Sequence, residues 1–297
     1  LLLGGKTMAF GNIKLFVFIS IFTALLSGCG VEVSTDNKKG GIDTITEGDL
    51  LKHIEILASN EFEGRGPSSM GEEKTVKYLK DEFKRIGLVS GNGESYFQNV
   101  PLVSIFPDPT TIIEIMGGRG DDLSLNYNKD MMVWTTRVQE NIVIDNAEMV
   151  FVGYGIVAPE FGWNDYEGVD VKDKVVVVMV NDPGYATQND ALFNGNSMTY
   201  YGRYTYKFEE AARQGAAGVY LIHETKPAAY PWAVVTGSWA GPNFNLDLED
   251  GNMSAVGIEG WLNIDNTRKI FSKAELDYEA LKLAAQEVSF KAVPMGL

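Results

Sequence analysis

The sequence contains one cysteine and two histidines in 297 residues. A single cysteine cannot form an internal disulfide, which excludes a small secreted module held together by disulfide bonds. Zinc sites usually include histidine, so the presence of only His53 and His223 argues against a complete zinc centre made by these residues.

Positive charge is also scarce in this chain. The 25 lysine and arginine residues are outnumbered by 40 aspartate and glutamate residues, which gives a formal net charge of -15. No cluster of basic residues compensates for this excess, so no nucleic acid is expected as a partner. Hydrophobic residues make up 45% of the chain and charged residues 22%, as in a folded globular protein. At roughly 150 residues per domain, the length predicts about two domains.

The longest apolar run lies near the N-terminus. Lys6 and Lys14 precede an apolar stretch from Leu15 to Leu26 that is interrupted only by Ser20 and Thr23. A helix that spans a bilayer needs about 20 apolar residues, so this shorter stretch is typical of the core of a signal peptide.

The apolar stretch ends in Leu26, Ser27, Gly28 and Cys29, which resemble a bacterial lipobox. In a lipobox the small residue before the cysteine permits cleavage, and the cysteine thiol receives a diacylglycerol group. The resemblance implies lipid attachment at Cys29 and a lipid-anchored location in the bacterial cell envelope. The alternative is a free cysteine that follows an ordinary signal peptide by chance.

Two segments precede the expected folded part. Residues 1–29 are predicted to be the lipoprotein signal-peptide segment. Met8 is predicted to be the first translated residue of the natural protein. Residues 30–46 are predicted to be a flexible tether, because they are rich in Gly, Ser, Asp, Asn and Lys.

Hydrophobic spacing predicts two helices after the tether. The first is expected at 47–58, following a capping signal at Thr46. The second is expected at 70–86, where a capping box begins at Ser69 and Gly87 occupies the position of a left-handed C-cap.

The sequence then changes from a helical pattern to a strand pattern. Short β-rich runs separated by Pro, Gly, Asp and Asn predict that the middle of the chain is mostly sheet. These runs are Phe97–Phe106, Thr111–Met116, Asn141–Ile144 and Glu148–Val152.

A βαβ-like unit is predicted next. The β-branched run Val175–Val180 fits a strand buried on both faces, a helix is expected over Tyr204–Gln214, and a further strand is expected over Gly218–Ile222. The expected fold class is therefore α/β, with mixed α+β content. A last helix is expected to open with a capping box of Ser272 and Glu275.

Three motifs that could belong to a binding or catalytic site also have structural explanations. Residues 153–158 match the G-x-G-x-x-A dinucleotide fingerprint, but no helical pattern follows, so a tight turn is expected. The adjacent carboxylates Glu209 and Glu210 are expected on a solvent-facing helix surface. The aromatic run from Tyr200 to Phe208 either covers the core or faces another domain.

Two groups of segments carry a family resemblance. Residues 57–66 and 96–102, with the strings LASNEFEGRG and YFQNVPL, flank a segment at 71–88. Together they resemble the N-terminal part of the secreted di-zinc aminopeptidases of peptidase family twenty-eight. A second group resembles the protease-associated (PA) domain inserted into many of those enzymes; it comprises residues 152–156, 163–166, 169–184 and 207–223.

The resemblance implies a domain arrangement and a zinc chemistry. It implies the first helices of a peptidase domain at 47–106, an inserted, mostly β PA domain at 107–259, and a return segment at 260–297. In the family, two zinc ions activate a shared water molecule and are held by His, Asp and Glu motifs that follow the inserted domain. Those motifs do not occur in this sequence. No catalytic or metal-binding residue is therefore assigned, and no zinc is expected to bind this chain.

The function implied is that of the N-terminal portion of a lipid-anchored zinc aminopeptidase, truncated before its catalytic region and inactive alone. The PA domain would be a lid or a substrate-positioning module. The expected partners are a peptide substrate, the membrane through Cys29, and the missing catalytic region of the same polypeptide. That region would cover exposed apolar faces at 47–106 and 260–297. The alternative is a stand-alone PA-domain lipoprotein that binds peptides or proteins without catalysis.

Overall fold

The computed structural model describes residues 41–297. The predicted signal peptide, its lipobox residues Leu26, Ser27, Gly28 and Cys29, and most of the predicted tether lie outside the described residues. Two compact units divide the chain after Phe97. Residues 41–97 are called the N-terminal unit below, and residues 98–297 the C-terminal unit.

The N-terminal unit contains the two helices that the sequence predicts. Helix α1 is Glu47–Leu57, and the side chain of Thr46 caps it by accepting a hydrogen bond from the backbone N–H of Asp49 at 3.1 Å. A 3-10 segment, Asn60–Arg65, connects it to helix α2, Met70–Arg85.

Both predicted caps of α2 are confirmed. The side chain of Ser69 accepts a hydrogen bond from the N–H of Glu72 at 3.3 Å. Gly87 follows the helix with a φ of 85°, a conformation that glycine adopts without a steric penalty.

The interior of the N-terminal unit is small. Phe62 is buried and packs edge-to-face against Tyr78, with ring centroids 6.1 Å apart. The hydroxyl of Tyr78 lies 2.6 Å from Nδ1 of His53. A Cβ atom at Gly71 would overlap the carbonyl oxygen of Phe62, so only glycine allows α2 to approach the 3-10 segment this closely. His53 therefore has a structural partner.

A six-stranded mixed sheet forms the centre of the C-terminal unit. Its order is β12-β5-β8-β9-β11-β4, and β5, β8, β9 and β11 are parallel while the two edge strands are antiparallel. The bounds are β4 Met131–Trp134, β5 Met149–Phe151, β8 Val175–Met179, β9 Gly218–His223, β11 Ile258–Asn263 and β12 Val293–Pro294.

Three two-stranded sheets surround the central one. They pair β1 with β10, β2 with β3 and β6 with β7, all antiparallel. Their bounds are β1 Leu102–Ile105, β2 Ile112–Ile115, β3 Leu123–Asn126, β6 Val157–Ala158, β7 Trp163–Asn164 and β10 Asn243–Leu246.

Helices connect and cover the parallel strands. Helix α4, Tyr204–Arg213, joins β8 to the parallel strand β9 and is closed by Gly215 at a φ of 79°, which confirms the predicted βαβ unit and a mixed α/β fold. No helix in residues 41–297 is long and apolar enough to cross a bilayer. The helices are α3 Pro183–Thr187, α4 Tyr204–Arg213, α5 Thr225–Ala228, α6 Trp232–Trp239, α7 Ile264–Lys273 and α8 Tyr278–Ala284.

Two local predictions are wrong. The helix expected to open at Ser272 does not begin there, because Ser272 lies in the last turn of α7. Glu275 has a φ of 57° that interrupts the helix, and the next helix begins after Asp277, whose side chain accepts from the N–H of Ala280 at 3.1 Å. The strand expected over Asn141–Ile144 is also absent, and that segment is irregular.

The segment 260–297 packs into the core of the C-terminal unit. Strand β11 crosses position 260 and lies inside the central sheet, and β12 forms one edge of it. Phe271 and Phe290 are buried against Phe151, with ring centroids 5.2 and 5.8 Å away. The apolar face expected on this segment is therefore covered. On 47–106, by contrast, many large apolar side chains are exposed.

Candidate functional site

The carboxyl ends of the four parallel strands border a cleft of about 510 Å³. Ligands of open α/β sheets bind at this edge, because the loops that leave the strands converge there. Tyr154 follows β5, Asn181 follows β8, Glu224 follows β9 and Ile264 follows β11, and all four residues line the cleft. Its volume lies in the range of small-molecule sites, which is about 300–1,000 Å³.

One wall of the cleft is fixed by two hydrogen bonds to the same short backbone segment. Asn181, at a φ of 70°, donates from Nδ2 to the carbonyl oxygen of Pro227 at 2.9 Å. The hydroxyl of Tyr185 donates to the carbonyl oxygen of Lys226 at 3.2 Å. These bonds join the residues after β8 to helix α5, so the position of Lys226 is set by the fold.

Three cationic side chains and one carboxylate line this cleft. Lys282 Nζ lies 2.5 Å from Oε1 of Glu224, and the Tyr278 hydroxyl donates to Oε2 of the same residue at 3.3 Å. Burial raises the pKa of Tyr278 and the carboxylate of Glu224 raises it further, so the hydroxyl remains a donor.

Arg268 and Lys226 complete the cationic lining. Arg268 donates from Nη2 and Nε to the same oxygen of Glu279, at 2.8 and 3.3 Å. Lys226 forms no ion pair among the residues that the structure describes. Three of the residues that line the cleft are therefore cationic and one is anionic, and Glu279, which pairs with Arg268, lies outside the lining.

A buried amine lies behind the cleft wall. Lys207 is fully buried, and within residues 41–297 its Nζ has no hydrogen-bond partner. Nζ lies 5.8 Å from the ring centroid of Tyr154 and 6.0 Å from that of Tyr206. Burial lowers the pKa of Lys207, while the charges of Asp165 and Asp182 act in the opposite direction.

The two carboxylates near Lys207 are held by other donors. Asp165 accepts from the N–H of Ile156 at 2.9 Å and from Nε1 of Trp163 at 2.8 Å, and its burial raises its pKa. Asp182 caps α3 by accepting from the N–H of Tyr185 at 3.1 Å. These hydrogen bonds fix the turns around the cleft. The cluster of Lys207, Asp165 and Asp182 therefore supports the wall of the cleft.

The two histidines belong to different units, and each has a partner within its own unit. His223 is buried, and its Nε2 lies 3.1 Å from the carbonyl oxygen of Tyr230, whereas His53 belongs to the N-terminal unit. Burial lowers the pKa of His223. Among residues 41–297, no three side chains of His, Cys, Asp or Glu form a group that could hold a metal ion.

The glycine motif at 153–158 forms the expected tight turn. Gly153 and Gly155 have φ values of 60° and 62°, and strand β6 follows instead of a helix. A Cβ atom at Gly155 would lie 2.8 Å from Cγ1 of Val178, so the close approach of the turn to β8 requires glycine.

The prediction that Glu209 and Glu210 both face solvent is wrong for Glu210. Its side chain is buried and accepts hydrogen bonds from Nε of Arg213 and Nε2 of Gln214, both at 2.8 Å, and from the hydroxyl of Tyr206 at 3.3 Å. Arg213 and Tyr206 stand three and four residues from Glu210, on one helix face, and that spacing could have revealed the cluster.

Most of the aromatic run covers the core, as the first of its two interpretations expects, whereas Tyr200 is 52% exposed. Tyr206 and Phe208 are buried, and Tyr204 packs against Trp239 and Trp261 at centroid distances of 5.8 and 6.0 Å. These rings close one face of the central sheet.

The sequence patterns predict no residue of the cleft. The predicted site residues, Leu26, Ser27, Gly28 and Cys29 of the lipobox, lie outside the described residues. The cleft residues are far apart in the chain and share only their position after parallel strands, or on the helices near them.

Comparison with known protein families and with curated proteins gives no match. Among solved structures, the aminopeptidase from Aneurinibacillus sp. strain AM-1 is similar, with 17% sequence identity and a TM-score of 0.32. The similarity covers 70% of this chain and 36% of that aminopeptidase, so the chain matches about a third of the aminopeptidase's length.

Proposed function

We propose that this chain is the non-catalytic portion of a lipid-anchored zinc aminopeptidase of the bacterial cell envelope. The C-terminal unit is a PA-type module that positions peptide substrates, and the N-terminal unit is the outer helical layer of the peptidase domain. The sequence resemblance described above and the exposed surface of the N-terminal unit support this assignment.

The observation that carries the proposal is an apolar surface on α1 and α2. On α1, Leu50, Leu51 and Ile54 are 55%, 46% and 59% exposed. On α2, Leu79 and Phe83 recur at helical spacing and are 37% and 44% exposed. Exposed apolar side chains concentrated on two helices are typical of a protein-protein contact, because leaving them in water is unfavourable. In the proposal, the sheet of the peptidase domain covers this surface.

Zinc enters the proposal only through that peptidase domain. The described residues do not fit a zinc site, because His53 and His223 belong to different units and each ring lies against a protein partner. We therefore assign no catalytic or metal-binding residue to this chain. Its own contribution is to bind and orient the peptide.

The experiment uses the complete polypeptide that the gene encodes. We expect the reading frame to continue past the codon for Leu297 into a His-x-Asp motif. The polypeptide purified from membranes should hydrolyse aminoacyl p-nitroanilides, lose this activity with a chelator and recover it with zinc. A stop codon directly after Leu297, together with an inactive protein, would overturn the proposal.

A pair of variants of the same polypeptide tests whether the apolar surface on α1 and α2 is covered. Ile54→Gln places a polar side chain on the apolar surface, while Glu55→Gln changes an exposed position of the same helix outside its first turn. We expect only Ile54→Gln to lower the midpoint of urea unfolding. Equal midpoints for the two variants would show that nothing covers this surface.

A stand-alone binding lipoprotein is the second candidate. It is favoured by one observation: the C-terminal unit closes its core with its own residues, including the segment 260–297, and forms the cleft by itself. The stop codon and the inactive protein described above, combined with peptide binding, would favour this function.

A further inference from the structure

We infer that the cleft at the carboxyl edge of the central sheet binds an acidic side chain of a peptide. This rests on the proposed function, in which the C-terminal unit handles peptides. It adds to that function a substrate class, namely peptides that carry glutamate or aspartate within the bound segment.

Cations outnumber carboxylates among the residues that line the cleft. Lys226, Arg268 and Lys282 line it together with the carboxylate of Glu224, and Glu279 pairs with Arg268 from outside the lining. With a chain charge of -15, most of the surface repels an anion, and this cleft is a place where an anion is attracted. Such complementarity gives selectivity for the charged group of a ligand.

Internal pairing does not use up these cations. Glu224 is paired with Lys282, and Glu279 accepts two bonds from Arg268 at a single oxygen, through Nε and Nη2. The Nη1 group of Arg268 donates to neither Glu224 nor Glu279, and Lys226 has no ion pair in the part of the chain that the structure describes. A guanidinium and an ammonium therefore remain to bind a carboxylate.

The backbone near these cations is fixed before a ligand arrives. Asn181 and Tyr185 hold the carbonyl groups of Pro227 and Lys226, as described above. Gln188 and Gln286 also line the cleft, and their amides can bond the main chain of a peptide. A volume of about 510 Å³ exceeds that of one carboxylate, so the rest of the cleft accommodates neighbouring peptide residues.

The test measures binding of short peptides to the purified full chain by calorimetry. The first probe is acetyl-Ala-Glu-Ala-amide, and the second replaces Glu by Gln. The third is acetyl-Ala-Gln-Ala with a free terminal carboxylate, and the fourth is inorganic phosphate. We expect the Glu peptide to bind about tenfold more tightly than the Gln peptide, as a charge-assisted hydrogen bond contributes.

Matched variants test which residues bind the glutamate side chain of the peptide. Lys226→Met and Arg268→Gln should each remove most of the preference for Glu over Gln. Lys172→Met should leave the preference unchanged, because Lys172 is exposed and precedes β8, at the other end of that strand from the cleft. High salt should weaken binding of the Glu peptide more than that of the Gln peptide.

Each other outcome overturns the inference in a distinct way. Equal affinity for the Glu and Gln peptides, or variants that behave like Lys172→Met, would show that the cations do not select the ligand. Tighter binding of the free-carboxylate peptide would assign the cleft to a peptide C-terminus, and binding of phosphate alone would assign it to a small anion. If these results accompanied zinc-dependent hydrolysis by the complete polypeptide, the inference would fail while the proposed function stood.

Discussion

Asn181 donates a hydrogen bond from its side-chain Nδ2 to the carbonyl oxygen of Pro227 at 2.9 Å, although the two residues are 46 positions apart. The backbone of Asn181 is left-handed, with a φ of 70°, and its Oδ1 accepts from the N–H of Asp182 at 3.0 Å. Asn181 thus forms the turn after β8 with its backbone and, with its side chain, holds the Pro227 segment of the cleft wall in place. Asparagine is among the few residue types that suit both tasks.

The first prediction concerns the two roles of Asn181. Both Asn181→Gly and Asn181→Ala lose the side-chain bonds and should be destabilised by about 1–3 kcal/mol. Alanine also strains the left-handed backbone, so Asn181→Ala should be the less stable of the two by about 1 kcal/mol. Urea unfolding measures the order.

Asn141 provides the control for Asn181. It is exposed and its φ is not positive, so its alanine variant should be no less stable than its glycine variant. If Asn181→Ala were more stable than Asn181→Gly, the left-handed turn would not constrain this position.

The second prediction concerns the pH dependence set by Glu259. Its carboxylate is buried and accepts from Nε1 of Trp134 at 2.9 Å, and burial raises its pKa to about 7. The folded state therefore binds a proton more tightly than the unfolded state does. The stability due to this group is fully present below the unfolded pKa of about 4.5 and is lost as pH rises through about 7.

Glu259→Gln should remove this dependence, because the amide stays neutral and still accepts from Trp134. Relative to the parent, the variant should gain stability between pH 5 and pH 8, by an amount on the order of 2 kcal/mol. Urea unfolding at the two pH values measures the gain. The exposed control variant Glu249→Gln should show no such gain. A pH profile of Glu259→Gln that runs parallel to that of the parent would contradict the prediction.

The third prediction compares two glycines in the helices of the N-terminal unit. Gly71→Ala should destabilise the unit, because the added methyl group overlaps the carbonyl oxygen of Phe62. Gly48→Ala has open space, with Thr46 Oγ1 at 3.9 Å, and should stabilise α1 by up to about 1 kcal/mol. Circular dichroism during thermal unfolding measures both changes. The same sign of change at both positions would argue against the close contact at Gly71.

The fourth prediction concerns Cys29, which lies outside the described residues. If the lipobox interpretation is right, Cys29→Ser should move the protein from the membrane fraction to the soluble fraction. Ser27→Ala keeps a small residue at its position and should leave the protein in the membrane fraction. Membrane localisation of Cys29→Ser would contradict the lipid anchor.

The elements that the sequence predicts well are those fixed by local chemistry. The Ser69 cap of α2, the Gly87 C-cap and the β-branched strand β8 depend on neighbouring residues, and each is present in the structure. Ser272 and Glu275 show the limit of such signals. The same Ser-x-x-Glu spacing occurs where α7 ends, and Glu275, with a φ of 57°, separates α7 from α8.

The cleft could not be predicted in the same way. Asn181, Lys226 and Arg268 become neighbours only because β8, β9 and β11 are parallel and adjacent, and strand order is not a local property. The burial of Glu259 has a similar origin. Its hydrogen-bond partner Trp134 lies in β4, 125 positions away in the chain.

The pairing of β12 with β5 has a consequence for synthesis of the protein. Val293 pairs with Phe151 and Pro294 with Val150, so one edge of the central sheet joins segments about 140 residues apart. At a translation rate of about 5–20 residues per second, β5 waits roughly seven to thirty seconds for its partner. Until residue 294 has been made, this edge of β5 lacks its native partner and is a site where pairing with another chain is expected.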